Sequence, residues 1–417
     1  MQTYKDFIPL TINLAPQITK IIRQQEVEKF SEENGLKRED LSSDKEHIYE
    51  LDVKLLPQFA KRSEKVIAAV KGSKLIPEVL VIGLISAYDG FLASLLKVII
   101  ASHPEIVLTS QKELTFKELL EFSSIQEARS TIIEREVESV IRLSHHEQFD
   151  WMQKHLDVKL KEGLNAWPKF IELCERRNLF THTGGIVSSQ YIRNCQFHNC
   201  DISGISVGQK LAANGKYFRE AVNTIYEIGL KLCYVFWRKF RMDETNDADV
   251  RFNACALDLI STGSIKLAES LLEFSHKVPK IKDDVRRMMI VNLANCARLQ
   301  GRKIDAEKIL STADWSATTD EFKLCVASVK GEIEEVLNLM DLIGKREDPN
   351  NYRIWPVFRE TRDDPRFVKK FEDIYGEPFL NITTSQKIES GSEELEKENR
   401  NSVSPDSEEQ NLQKTVH

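Results

Sequence analysis

The chain has 417 residues, is 41% hydrophobic and 29% charged, and carries a formal net charge of −7. That composition suits a globular protein of two or three domains with a real core. Residues 381–417 hold eight acids and four bases, which is −4 of that −7 and leaves the rest near neutrality. A body so nearly neutral excludes nucleic-acid binding through a generally basic surface, so any RNA contact must be local. Seven scattered cysteines, mostly inside apolar runs, point to reduced thiols in a cytoplasmic protein rather than a disulfide framework.

The N-terminus, "MQTYKDFIPLTINL", has no basic stretch followed by a sustained apolar one, and no secretory signal is read there. "SEENGLKREDLSSDKEH" reads as an exposed loop. Leu55, Phe59, Val66 and Val70 are at helical spacing, and Gly72 with Ser73 is expected to end that helix. Residues 1–74 are thus read as an N-terminal helical arm. The next run, 78–101, is long enough to span a bilayer. Asp89 in its middle and Lys97 beyond would be costly in lipid, so it reads as a core helix with no membrane partner.

Thr115 precedes an apolar-periodic run and suits an N-cap. Residues 124–155 read as one amphipathic helix, and residues 165–181 as another. Gly184 and Gly185 suit the left-handed position that closes the latter. Residues 183–215 read as a loop, and a strongly apolar helix then runs to about 241. Strand-like alternation is scarce. The fold class expected is therefore all-α, with residues 75–241 forming a helical bundle.

Residues 242–380 repeat. "ACALDLISTGSIKLAESLL", "NCARLQGRKIDAEKIL" and "LCVASVKGEIEEVLNLM" each read helix, glycine, helix, pivoting on Gly263, Gly301 and Gly331. An apolar residue follows each glycine (Ile265, Ile304, Ile333). Ala268, Ala306 and Val336 sit five beyond it. One such hairpin cannot bury its apolar face alone, so the units should stack into an array. They loosely resemble tetratricopeptide repeats. Trp355, Phe358, Phe367 and Phe371 would cap the array, with Pro365 opening a last helix. Residues 381–417 have almost no apolar side chains and are expected to be disordered.

The chemistry concentrates in "CERRNLFTHTGG", residues 174–185. Asn178 and His182 are four apart, on one helical face, and the long Arg177 side chain can reach the same patch. A helix C-terminus carries partial negative charge and favours a protonated imidazole. A histidine there can donate or accept a proton, and a guanidinium offers forked donors to phosphate oxygens. Together they could cleave RNA: His182 as general acid or base, Arg177 stabilising charge on the phosphorus transition state. Arg176 would support them. The alternative from the residues alone is a polar helix end facing water.

"ERRNLFTH", at a helix end in an all-α setting, resembles the Arg-x4–6-His signature of the HEPN superfamily. Asn178 matches the polar residue that often follows the arginine there. The buried acid Asp89 is similarly placed to one in the first core helix of that fold. Some members carry a tyrosine two positions after the histidine; here Thr183 and Gly184 follow His182, so that subclass is not matched. The resemblance covers residues 75–241. It implies a bundle of four or five helices, a metal-independent endoribonuclease without cofactor, and a homodimer whose two Arg/His motifs meet in one site. It also implies a prokaryotic defence or toxin setting. Catalytic residues would be Arg177 and His182, with Asn178 supporting. Some members are silent and act only as scaffolds.

Three other groupings carry weaker signals. Cys195, His198 and Cys200 lack the spacing of a common zinc site and read as core or loop thiols. His145 and His146, with Glu147, Asp150 and His155, read as a solvated surface. "YVFWRKFR", residues 234–241, interleaves aromatics with Arg238, Lys239 and Arg241. Those cations are candidate RNA contacts, or else the basic end of a packed helix. The repeats would hold a protein partner on their concave face.

Overall fold

The computed structural model describes residues 2–40, 47–108 and 115–380. The chain is all-α apart from one small ribbon, in which β1 (Arg38–Asp40) pairs antiparallel with β2 (His47–Tyr49). It divides into two compact units at Phe252/Asn253, later than the expected junction after residue 241. The expected disorder of residues 381–417 lies outside the described residues.

The first unit begins with α1 (Gln2–Asn34), the ribbon, and α2 (Leu56–Ser102). The expected break at Gly72 and Ser73 does not occur, and the boundary placed at residue 74 falls inside α2. One glycine costs a helix interior only about 1 kcal/mol relative to alanine. Long-range contacts with α1 offset that cost. The Phe30 and Phe59 rings meet edge to face at 5.3 Å, and Arg62 pairs with Glu26 at 2.9 Å and with Glu33. The arm therefore belongs to the first unit, and Ile12 of α1 is part of its core. Pro77 sits within α2 without ending it.

Short helices α3 (Glu105–Leu108) and α4 (Phe116–Leu120) follow, the latter opened by Thr115 in a capping box with Glu118. The stretch read as one helix over 124–155 is two, α5 (Ile125–Ile141) and α6 (His145–His155). Ser144 and Glu147 form a capping box that starts α6 afresh, and the Gln148 amide donates to the Ile141 and Leu143 carbonyls across the turn. Next come α7 (Trp167–His182), α8 (Ser189–Phe197) and α9 (Gly215–Phe240). The stretch 183–215, expected as a loop, contains α8, which Ser188 caps. Val81, Leu84, Tyr88, Leu92 and Leu96 form one fully buried stripe of α2. This stripe packs against α5, α7 and α9 at the centre of the unit. Among the described residues, α2 is the one helix long and apolar enough to cross a membrane.

The unit division falls within α10 (Thr245–Ser261). The second unit continues with α11 (Ile265–His276), α12 (Asp283–Leu299), α13 (Lys303–Leu310), α14 (Asp320–Lys330) and α15 (Ile333–Ile343). Each pair is a hairpin, and Gly263, Gly301 and Gly331 turn at φ +80°, +78° and +78°. That left-handed conformation is the one glycine adopts at no steric cost. Ala268, Ala306 and Val336 are buried as the repeat requires, but Ile304 is 70% exposed. Ile304 is the second residue of its helix and stands in solvent. Finally α16 (Pro349–Ile354) and α17 (Pro365–Tyr375) close the array. Phe358, Phe367 and Phe371 are buried around Tyr352, and Trp355 is partly buried beside them.

Candidate functional site

Three helices aim polar side chains into one cavity of about 280 Å³ in the first unit. Asp89 comes from α2, His145 from the first turn of α6, and Arg177 and Asn178 from α7. His145 Nε2 donates to Asp89 Oδ1 at 3.0 Å, and Arg177 Nη2 lies 3.6 Å from Asp89 Oδ2. One carboxylate is thus shared between an imidazole and a guanidinium. The His145 ring is packed between Tyr88 and Phe170, with ring centres 6.1 and 5.7 Å away. Its side chain is 8% exposed, while those of Asp89 and Arg177 are each 23% exposed.

Arg177 is not saturated by this pairing. Its Nε is buried with no hydrogen-bond partner among the described residues. A buried guanidinium N–H without an acceptor is costly, and the same Arg177 side chain lines the cavity. Arg142, Ser144, His146 and Glu175 complete its polar wall.

His182 is placed differently. It ends α7, is exposed, and makes no hydrogen bond or ion pair with any described residue. Five residues separate it from Arg177, which puts the two side chains about 140° apart around the helix. The cavity that holds Arg177 and Asn178 is not lined by His182.

Arg176 turns to another side of α7. Its Nε donates to Glu172 at 2.7 Å, and the guanidinium lies over the Tyr217 ring at 4.4 Å. Tyr191 and Tyr217 also donate to Glu172, at 2.7 and 2.9 Å. Burial first, then the Glu172 charge, push both phenols above their ordinary range, so both stay protonated donors. Arg176 therefore anchors α7 to α8 and α9 and does not join the cavity.

The turn after α7 is built by glycine. Gly184 and Gly185 have φ +59° and +85°. A Cβ on Gly185 would stand 2.6 Å from the Leu211 carbonyl oxygen, to which the chain is tied by the Leu211 N–H bond to the Gly185 carbonyl.

The aromatic-basic stretch of α9 folds as a packed helix end. Arg238 pairs with buried Asp249, Lys239 with Asp157 at 2.8 Å, and Arg241 with Glu244. Phe236 is buried, and the Trp237 indole donates to Glu244. The three cations expected to touch RNA are thus each matched by a carboxylate. Cys195 and Cys200 are buried free thiols, and Trp167 Nε1 donates to His198 Nδ1 at 3.4 Å. Among the described residues no three His, Cys, Asp or Glu side chains are grouped to hold a metal ion.

The expectation that His145 lies on a solvated surface is overturned: the residue is 7% exposed and faces Asp89. Its one detectable signal was local, a Ser-x-x-Glu capping box that places residue 145 at the start of a helix. The chain matches no family model, no curated protein and no solved structure.

Proposed function

We propose that the chain is a metal-independent endoribonuclease acting as a homodimer. The observation that carries the reading is the incompletely bonded Arg177 guanidinium in a polar cavity, with exposed His182 at the end of the same helix. His182 would take the proton from a ribose 2′-hydroxyl. That oxygen would attack phosphorus and expel the 5′-oxygen, which receives a proton, leaving a 2′,3′-cyclic phosphate. Arg177 would stabilise the added charge on the phosphorane-like transition state. In one chain the two groups leave α7 in different directions, so the site would close between two copies. Asn178 supports the reading by lining the same cavity as Arg177. The repeats would dock a protein partner, and the setting would be prokaryotic cytoplasm in a defence or toxin role.

A second reading is a non-catalytic scaffold. It is favoured by Asp89, which already offsets the Arg177 charge, and by the separation of His182 from the cavity. The test is expression of wild type, His182→Ala and Arg177→Ala in a heterologous host. Growth arrest confined to the wild type, with RNA fragments ending in cyclic phosphate, supports the nuclease. Equal behaviour of all three leaves the scaffold.

A further inference from the structure

The second unit contains a cavity of about 430 Å³, within the range of roughly 300–1,000 Å³ usual for ligand sites. It is formed along the first helices of the hairpins, α10, α12 and α14, and is bounded by the capping segment at Trp355. Its wall is apolar, and Leu257, Met288, Phe322 and Trp355 are only partly buried there.

Two features break that apolar wall. Asn292 Nδ2 donates to Asn253 Oδ1 at 3.0 Å, and both residues are buried, at 8% and 7% exposure. The remaining amide atoms, Asn253 Nδ2 and Asn292 Oδ1, have no partner among the described residues. They offer one donor and one acceptor side by side. Reversing both amides leaves the same complement. A peptide group presents the matching acceptor and donor. The second feature is charge. Glu321 and Glu347 line the cavity, and no lysine or arginine does. Arg346, next to Glu347 in the chain, lies 3.8 Å from Asp320, and its charge also acts on Glu321, whose carboxyl is held below its ordinary value first by its hydrogen bonds and then by Arg346.

We propose that this groove binds an extended peptide segment of a partner protein. An aliphatic or aromatic side chain enters the apolar cavity. The backbone amide beside it meets Asn253 and Asn292. A neighbouring lysine or arginine lies against Glu321 and Glu347. The inference names the partner chemistry for the docking role proposed for the repeats, and it is independent of RNA cleavage.

The test uses the full chain on an array of synthetic heptapeptides with Gly-Ser flanks and the three central positions varied. The expected result is capture of peptides pairing Leu, Phe or Trp with Lys or Arg. For the best peptide, measured by fluorescence polarisation, N-methylation of the anchor amide weakens binding about tenfold. Glu321→Lys shifts the preference from a Lys neighbour to a Glu neighbour by about fivefold. Met288→Trp, filling the groove from a partly exposed position, abolishes binding while thermal unfolding stays at the wild-type temperature. Should Glu321→Lys fail to fold, the N-methyl peptide and Met288→Trp still decide. Capture of no peptide overturns the docking role itself. Capture of acidic or wholly polar peptides, or a preference unmoved by Glu321→Lys, overturns this chemistry alone. RNA cleavage that persists in Glu321→Lys keeps either failure separate from the nuclease reading.

Discussion

Arg177 faces Asp89 across the α7–α2 contact, Nη2 to Oδ2 at 3.6 Å, while the other oxygen of that carboxylate holds His145. Replacing Asp89 by Asn removes the charge from both partners at a site less than one quarter exposed. The expected loss is about 1–3 kcal/mol of unfolding free energy, the usual cost of stranding a partly buried charge. Urea denaturation at pH 7 measures it. An unchanged midpoint would show that the shared carboxylate contributes nothing to stability.

His182 has no such structural duty. His182→Ala should leave stability within about 0.5 kcal/mol of wild type, as surface changes do. Under the nuclease reading it lowers cleavage by about 10²–10⁴-fold, the range for losing a general acid or base. Single-turnover cleavage of a labelled RNA, run beside a thermal melt, separates the two effects. Cleavage retained at the wild-type rate removes His182 from the mechanism.

Glu172 accepts from Arg176, Tyr191 and Tyr217 at once, and its side chain is 13% exposed. Glu172→Ala strands a buried guanidinium and two phenols. About 3–5 kcal/mol of stability should go with it, as when one partner of a buried ion pair is deleted. Chemical denaturation checks this, and Glu172→Gln, which keeps an acceptor for the tyrosines, should lose less.

Gly184 and Gly185 allow a paired comparison. Alanine at 184 meets open space but must hold φ +59°, at a cost of about 1–2 kcal/mol. Alanine at 185 holds φ +85° and also presses on the Leu211 carbonyl, so it should cost clearly more than its neighbour. Equal melting temperatures for the two variants would show that the backbone yields freely there.

The His198 imidazole titrates below its ordinary 6.5, first because of burial and then because of the nearby His146 and Lys161 charges. The Trp167 N–H to His198 Nδ1 bond requires the neutral ring, in agreement. The unfolded chain therefore takes up this proton more readily than the folded one. The contribution is full above the unfolded value and is lost as the pH falls below 6.5 through the folded value. Stability followed by tryptophan fluorescence should fall between pH 7.5 and about 5. His198→Gln, which keeps an acceptor for Trp167, should flatten that slope.

Features encoded within a few residues could be read from the chain itself. The hairpins of the second unit announce themselves because each reversal needs a glycine, and Gly263, Gly301 and Gly331 supply the positive φ. The end of α7 is marked in the same way by Gly184 and Gly185. What escaped depends on distant partners. The continuity of α2 past Gly72 rests on contacts such as Arg62 with Glu26, 36 positions away. His145 looked solvated because Asp89 is 56 positions away. Lys239 looked free to meet RNA because Asp157, 82 positions away, has no local mark. The triplet Arg176, Arg177 and Asn178 was legible as polar, but its division between a tyrosine network and a cavity is set by what packs on each side of α7.

A contact made only of leucines and phenylalanines tolerates some roll of one helix against another. The Asp89 clasp does not. A roll of α7 by a single residue, about 100°, would carry Arg177 out of reach and bring a neighbour with different chemistry to the carboxylate. Held at the same time by His145 from α6, the carboxylate acts as a key in a keyway, admitting one azimuth for each of three helices. The direction in which His182 leaves the bundle is thereby indexed by an acid that it never touches.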